Sequence, residues 1–391
     1  MRIIFLSAWH PYPPDNGSKL RIYNLLRGLS QQHYITLVTF ADEHSVSRSA
    51  EPDQHNLTIR VVPRREYNPG SARALLGFFS PTPRHLVDTY MPLMAQRIRE
   101  ELEDGHYDLV IASQWDTVAY WQTWRSLPAL FEEIELGILE AKKEQARTRW
   151  QKIRHELPTL KLRLYLQRLL PHFRACTVVS QAEGDLVRRT VPGYKAVEVI
   201  PNGVRLADYR DVRETPQPNT LIFTGSFRYF ANHDAMQWFL QQVYPRIQAR
   251  LPETRLTITG DHAHLPLPPA DNVTLTGFVD DVRPSIAASW VSLAPIWLGG
   301  GTRLKILEAM ALRTPVIATS KGAEGLDVQS GEHLLIADTP ETFAEAAIRL
   351  LQDAALRRRL TENAYQLVSE KYDWAVIMPR FLSLVERVAH T

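Results

Sequence analysis

Cysteine is almost absent from this 391-residue chain, with Cys176 the only one. A single thiol excludes an internal disulfide framework and any zinc cluster built on cysteines. It suits a reducing cytosol. Charge of one sign is also missing. Lys and Arg number 45 against 43 Asp and Glu, a net of +2, so the global positive excess of a nucleic-acid binder is not there and no nucleic-acid partner is expected. No stretch reaches 18 consecutive apolar residues, which predicts no transmembrane helix. The first apolar run, Ile3–Leu6, ends at Trp9-His10-Pro11 and is too short for the core of a secretory leader. A dinucleotide fingerprint, G-x-G-x-x-G, does not occur, which argues against an oxidoreductase. The expected location is the cytoplasm, with any membrane contact made peripherally at the inner face.

What the chain does have is the make-up of a globular protein, 45% hydrophobic and 23% charged, with length for two domains. Short apolar strands alternate with longer amphipathic helices. Ile3–Leu6, Ile35–Phe40, Leu57–Val62, Leu109–Ala112, Ala129–Phe131 and Ala175–Val179 read as strands, with a first helix from about Ser18 to Gln32. After the polar, Pro-rich break Pro216-Gln217-Pro218-Asn219, expected to be a linker, the pattern restarts. It continues with Thr220–Gly225, a helix near Ala235–Arg250, then Leu256–Gly260, Val273–Gly277, Val291–Pro295 and Pro315–Thr319. Continuous apolar strands between helices predict parallel sheets covered on both faces. The reading is α/β, two Rossmann-like domains facing across a cleft. A last helix near Val376–His390 carries Ile377, Phe381, Leu384 and Val388 on one face.

In open α/β sheets ligands bind beyond the carboxyl ends of the strands, so the loops there hold the candidates. Pro11–Ser18 places Gly17 at a helix start, where free N–H groups would receive an anion or a sugar. The same residues also read as a plain turn with Asn16 or Ser18 as N-cap. The segment Trp297-Leu298-Gly299-Gly300-Gly301-Thr302-Arg303-Leu304-Lys305 puts three glycines before a helix expected to begin near Thr302, with two cations in its first turn. The helix dipole disfavours cations there, so an anion among them would explain their position. A flexible Gly turn with surface charges is the plainer alternative. Glu308, deeper in the helix, offers acceptors to a polyol such as a ribose. Val199–Val204 contains Asn202-Gly203, a turn signal with no function of its own required.

Residues 141–174 hold ten basic side chains against Glu144 and Glu156, mingled with leucines. That is either a site of attachment to an anionic membrane or the charged outer face of a core helix. Trp297, Trp115, Trp121 and Trp124 offer faces for sugar rings or for packing.

Taken in order, several pieces resemble a known family. They are Pro13–Gly17, Val199–Val204 with Asp208 and Tyr209, Leu221–Gly225, Val273–Val279, Leu307–Ala311, Thr314–Ala318, and Tyr372-Asp373-Trp374. Together they are similar to retaining glycosyltransferases of the GT-B fold, family 4. The resemblance spans nearly the whole chain. It implies an acceptor-side domain over 1–210, a donor domain over 217–374, and a final helix, 375–391, that packs back on the first domain. It implies transfer from a nucleoside-diphosphate sugar, a UDP- or GDP-sugar, to a glycan or lipid-linked acceptor in cell-surface polysaccharide synthesis. No metal or further cofactor is implied. Glu308 matches the family's ribose-binding glutamate. Arg303 and Lys305 are then the catalytic cations, and Gly17, Gly225, Asn232, Phe278, Gly299, Gly300, Gly301 and Thr302 the donor contacts. Asp116 and Glu133 are acceptor candidates.

The chain also departs from the family. Gly300 stands where the motif usually has a first glutamate. The usual Arg and Lys after the first C-terminal strand are replaced by Ser226-Phe227-Arg228, and no histidine occurs near Ser113–Asp116. These departures leave two other readings open: a nucleotide-sugar epimerase on the same fold, or a non-catalytic sugar-nucleotide or glycan-binding protein.

Overall fold

The computed structural model describes residues 1–41, 56–137, 149–299 and 301–390, with 149–157 described by backbone alone. Gly300 and the first basic residues of the 141–174 segment, Lys142, Lys143 and Arg147, lie outside the described residues. The chain forms two compact units, Met1–Pro201 with Met378–Thr391, and Asn202–Ile377. Among the described residues no helix is long and apolar enough to cross a membrane.

The first unit runs β1 (Arg2–Ser7), α1 (Gly17–Leu29), β2 (Tyr34–Ala41), β3 (Leu57–Pro63), α2 (Ala72–Leu76), α3 (Arg84–Thr89), α4 (Pro92–Asp104), β4 (Leu109–Ser113), α5 (Trp115–Val118), β5 (Ala129–Glu132), α6 (Arg149–Leu169), β6 (Ala175–Val178), α7 (Gln181–Thr190) and β7 (Val197–Val199). Its sheet has the order β3-β2-β1-β4-β5-β6-β7, with every pairing parallel. Such strands are covered on both faces, and accordingly Ile3, Ile4, Phe5, Leu6, Leu109, Val110 and Ile111 are fully buried.

The second unit runs β8 (Gln217–Thr224), α8 (Phe230–Trp238), α9 (Tyr244–Arg250), β9 (Arg255–Thr259), β10 (Val273–Gly277), α10 (Arg283–Ala287), β11 (Ser289–Ala294), α11 (Leu304–Ala311), β12 (Val316–Ala318), β13 (Leu335–Ile336), α12 (Pro340–Gln352), α13 (Ala354–Leu367) and the start of α14 (Trp374–His390). Its sheet order is β10-β9-β8-β11-β12-β13, again parallel throughout. In both sheets the direction of winding reverses beside the first strand, at β1/β4 and at β8/β11. Those forks are where an α/β sheet leaves room for a ligand.

Three local features differ from the sequence expectation. Gln217–Asn219 is not a linker but the opening of β8, with Gln217 paired to Ser289 before a register shift. Pro218 has no N–H to donate, and an irregularity in the ladder is where a strand tolerates it. The helix expected from Ala235 to Arg250 starts earlier, at Phe230, and is widened to a π turn over Phe239–Val243. Pro245, at the start of α9, lacks the N–H that would continue an α-helical ladder, and the wider turn relieves the clash. The segment around Asn202-Gly203 is stitched to the far end of the unit rather than forming a free turn. Val204 N donates to Tyr372 O (2.9 Å), Trp374 N to Val204 O (3.0 Å), and Trp374 Nε1 to Gly203 O (3.1 Å).

The residues of α14 from Met378 onward group with the first unit. There Phe381, Leu384 and Val388 are buried. Arg174 Nη1 donates to Val388 O (2.8 Å), and Arg387 pairs with Glu198 (2.7 Å).

Gly203 is buried, and a Cβ on it would fall 2.3 Å from Tyr372 O and 2.6 Å from Ile377 Cδ1. Backbone atoms cannot give way as a flexible side chain can. Gly203→Ala is therefore expected to destabilise the protein by about 1–3 kcal/mol, read as a lower urea midpoint. An unchanged midpoint would contradict the packing described.

Candidate functional site

The second unit's fork brings together most of the donor residues expected from the sequence. Gly225 closes β8 with φ +145°. A Cβ there would lie 2.7 Å from Asn232 Nδ2 and 3.0 Å from Lys305 Nζ, so the bare backbone lets these two side chains come in close. Asn232, in the first turn of α8, donates through Nδ2 to Ser226 O (2.8 Å) and accepts from Lys305 Nζ at Oδ1 (2.9 Å). The ammonium also sits over the Phe223 ring, 3.9 Å from its centroid. One amide thus ties the loop after β8 to the start of α11.

The glycine loop after β11 forms the other wall. Gly299 and Gly301 have φ +89° and +78°, backbone that glycine adopts without strain. A Cβ on Gly299 would fall 1.8 Å from the Tyr229 hydroxyl, so the bare backbone lets that ring come in close. The helix begins at Leu304 rather than near Thr302, and Arg303 is its N-cap with ψ 88°. This corrects the expected first turn: Arg303 lies outside the helical backbone and precedes the helix, and Lys305 is in its first turn. Arg303 is 8% exposed and donates from Nη2 to Leu298 O (3.1 Å). Thr302 Oγ1 is buried without a hydrogen-bond partner among the described residues.

Burial, and then the neighbouring Arg303, push the Lys305 ammonium down to about 7, with Glu308 opposing. Burial pushes the Glu308 carboxyl up, while Lys305, the Tyr209 hydroxyl and Arg283 pull it part of the way back. Arg283 is held by Asp281 (2.8 Å) and reaches Asp208 O. Tyr209, Arg283, Tyr229 and Gly260 were not singled out as site residues from the sequence. Gly260, with φ +115°, would place a Cβ 2.6 Å from the Gly225 carbonyl. A glycine ending a strand was the signal available for it. Tyr229 and Arg283 gave none, because only the fold brings them to the fork. Phe278 follows β10 and is 74% exposed.

Trp297 meets Trp238 edge to face at 5.2 Å, beside a groove of about 430 Å³ lined also by Gln237 and Gln241.

The remaining candidates belong to the first unit. Asn16, not Ser18, caps α1, its Oδ1 accepting from Lys19 N (3.0 Å), and Gly17 is the first residue of that helix. At the ends of β4 and β5 a fully buried Glu132 takes Arg21 Nε (2.6 Å) and Ser113 Oγ (2.6 Å). Glu133 stands 3.9 Å from the same guanidinium and accepts from Gln114 Nε2 (2.7 Å). Burial pushes the Glu133 carboxyl up; Arg21 opposes this, and Glu132 adds to it. Gln114 and Glu133 both have positive φ, 68° and 61°, the kind of backbone strain that clusters at functional sites. Asp116 accepts from Thr89 Oγ1 (3.2 Å). Trp115 packs on Phe131 (5.6 Å), Trp121 stacks on His172 (3.7 Å), and Trp124 is buried. Packing accounts for these three.

Two family models match the chain. One, described as Glycosyltransferase Family 4, covers residues 16–208; the other, Glycosyl transferases group 1, covers 218–353. A Klebsiella pneumoniae protein, named as an uncharacterised 44.6 kDa protein in the cps region, is 25% identical over 164 residues, 39% of this chain and 42% of that one. A probable sucrose-phosphate synthase of Thermosipho melanesiensis is 34% identical over 84 residues, 22% of this chain and 19% of that one. The matches thus span less than half the length of these relatives. Among solved structures, Anabaena HepE in complex with UDP and glucose superposes with TM-score 0.66 at 16% identity, covering 99% of this chain and 100% of that one. The Thermosynechococcus elongatus sucrose-phosphate synthase superposes with TM-score 0.67 at 19% identity, covering 99% of each chain. At these identities the likeness shows the GT-B fold: two parallel sheets with flanking helices in two Rossmann-like domains.

The Lys305 environment has a consequence for stability. An unfolded lysine titrates near 10.4, and the folded one near 7. Between those values the unfolded chain binds a proton that the folded chain gives up, so stability rises with pH across that window. Lys305→Met removes this dependence. The variant is expected to melt several degrees above the wild type at pH 6, with the difference closing toward pH 10. A melting difference independent of pH would refute the assignment.

Proposed function

The chain belongs to the group 1, family 4 glycosyltransferases, and from that premise we propose a specific reaction. It transfers a sugar from a UDP- or GDP-sugar to a hydroxyl of a glycan or lipid-linked acceptor, with retention at the anomeric carbon. The observation that carries this reading is the Lys305 ammonium. It is held by Asn232 (2.9 Å) at the β8/β11 fork, between two glycine corners, and it is pushed toward its neutral form by burial and by Arg303. A diphosphate at that point restores the proton and the charge, and removes the repulsion between the two cations.

Negative charge grows on the leaving diphosphate as the bond to the anomeric carbon breaks. Arg303, Lys305 and the backbone N–H groups of Gly299, Gly301 and Thr302 oppose that charge. Arg303 provides a planar fork and Lys305 a point charge, so the charge a metal would supply comes from the protein. Glu308 accepts hydrogen bonds from the ribose hydroxyls, while the Tyr209 hydroxyl holds its carboxylate and the charge of Arg283 favours its ionised form. The acceptor oxygen bonds to the anomeric carbon on the face the diphosphate leaves. Its proton passes to the departing phosphate oxygen, so no protein base is needed.

Asp116 and Glu133, in the first unit, are assigned to the acceptor, and Gly17, at the start of α1, to the donor. Glu133, pushed toward its protonated form, can donate to a neutral hydroxyl as well as accept from one. The donor class is supported by HepE, whose structures contain UDP and UDP-glucose. A role in surface polysaccharide synthesis is supported by the Klebsiella relative of the cps region.

A thermal-shift screen of nucleoside-diphosphate sugars identifies the donor, since a ligand that binds only the native form raises the melting temperature. With that donor, Arg303→Ala is expected to lower kcat/KM by about a hundredfold, on the order of 3 kcal/mol in the barrier. NMR of the product is expected to show the donor's anomeric configuration. Normal turnover by the variant, or an inverted product, would overturn the mechanism.

A further inference from the structure

Exposed apolar side chains gather at one place on the first unit, where nothing in the donor reading needs them. Leu75 and Leu76 end α2, and Phe78 and Phe79 form the turn that follows. All four are exposed, Phe79 by 90% and Leu76 by 67%. Four large apolar residues in five positions, all facing solvent, are not what a soluble surface carries without a use.

The neighbouring helix adds to them. On α6, Leu162, Leu166 and Leu169 are buried in the core, whereas Leu160 and Leu164, one turn apart, are exposed. The two readings of the basic segment therefore divide between residues: one face of α6 is core, and the other joins the patch. Lys161 Nζ donates to Gly77 O, which ties α6 to the turn.

The N–H groups of Gly77, Phe78 and Phe79 are paired within the turn. Gly77 N donates to Arg73 O (2.9 Å), Phe78 N to Leu75 O (3.0 Å), and Phe79 N to Leu76 O (3.0 Å). Arg84 Nε caps Ala74 O (2.9 Å). These donors can leave water already paired, which lowers the cost of entering lipid.

Charge decides what the patch meets. The Arg84 guanidinium lies 3.8 Å from the centroid of the Phe78 ring. Lys161, Arg163 and Arg168 share α6 with the exposed leucines, and neither Pro69–Val87 nor Leu157–Arg174 contains an Asp or Glu. Asp88, which follows the first stretch, is buried against Ser71 and Arg65. Apolar tips flanked by cations match a surface with negative headgroups over hydrocarbon.

We propose that the Leu75–Phe79 turn is a wedge that inserts into an anionic membrane, with the α6 cations seated on its headgroups. The occupant is a lipid bilayer. The inference does not rest on the donor site, and its test involves no nucleotide.

The test is flotation of the full-length protein with vesicles of phosphatidylcholine, with and without phosphatidylglycerol. Wild-type protein is expected to float with the anionic vesicles and not with the neutral ones. Leu76→Ser with Phe79→Ser, and separately Arg163→Ser with Arg168→Ser, are each expected to weaken partition by about tenfold or more. All four side chains are exposed, so melting temperatures are expected to stay at the wild-type value, which separates lost attachment from lost folding. Equal partition with neutral and anionic vesicles, or serine variants that float like the wild type, would overturn the proposal. So would a wild-type dimer, seen by light scattering, that the Leu76/Phe79 variant abolishes while no vesicle binding occurs; the patch would then belong to a second copy.

Discussion

The hydrogen bond from Lys305 to Asn232 is the interaction on which the candidate site depends. It joins the loop after β8 to the helix after β11, across the fork where the sheet of the second unit changes its direction of winding. An ammonium in that position is costly to hold, because burial and Arg303 both work against its charge. Among the described residues no carboxylate is in direct contact to offset this cost. The fold provides an amide oxygen, an aromatic face and glycine corners, a setting that favours a ligand anion over a permanent salt bridge. A structural ion pair would have neutralised the cation; in the function proposed, its remaining capacity goes to the donor diphosphate.

The two units apply one architecture to opposite electrostatics. Each has a parallel sheet wound in two directions from its first strand, with chemistry-bearing loops at the carboxyl ends. In the second unit the fork gathers cations, Arg303 and Lys305. In the first, the corresponding corner holds two carboxylates, Glu132 and Glu133, against one guanidinium, Arg21. Burial pushes Glu133 toward its protonated form, with Arg21 opposing and Glu132 adding to it, and the positive φ values of Gln114 and Glu133 show that the backbone is bent to hold the arrangement. In the function proposed, the corner of the second unit receives the phosphate and that of the first unit the neutral hydroxyls of an acceptor.

Much of the fold could be read from residue order. Apolar runs such as Ile3–Leu6 and Leu109–Ala112 are strands because a doubly covered parallel sheet needs both faces apolar, and the structure places them at its centre. The short β7 and β13 escaped notice because three- and two-residue strands carry no periodicity. Pro218 misled, since a proline reads as a break until its partner strand is known. At the candidate site, Gly225, Asn232, Gly299, Arg303 and Lys305 were legible as glycines and polar groups after strands. Tyr229 and Arg283 were not, because their roles depend on neighbours far away in sequence.

Local chemistry determined the element types, the two-domain organisation, the glycine corners and the family, because these rest on periodicity and on short-range motifs. Only tertiary structure decided that Arg303 precedes its helix instead of opening it, that Asn202-Gly203 is sewn to Trp374, and that Lys305 meets Asn232. It also decided that the leucines of α6 divide between core and surface. Each of these depends on which atoms exclude water from which others. A sequence lists the groups that can be buried or left exposed; packing selects among them.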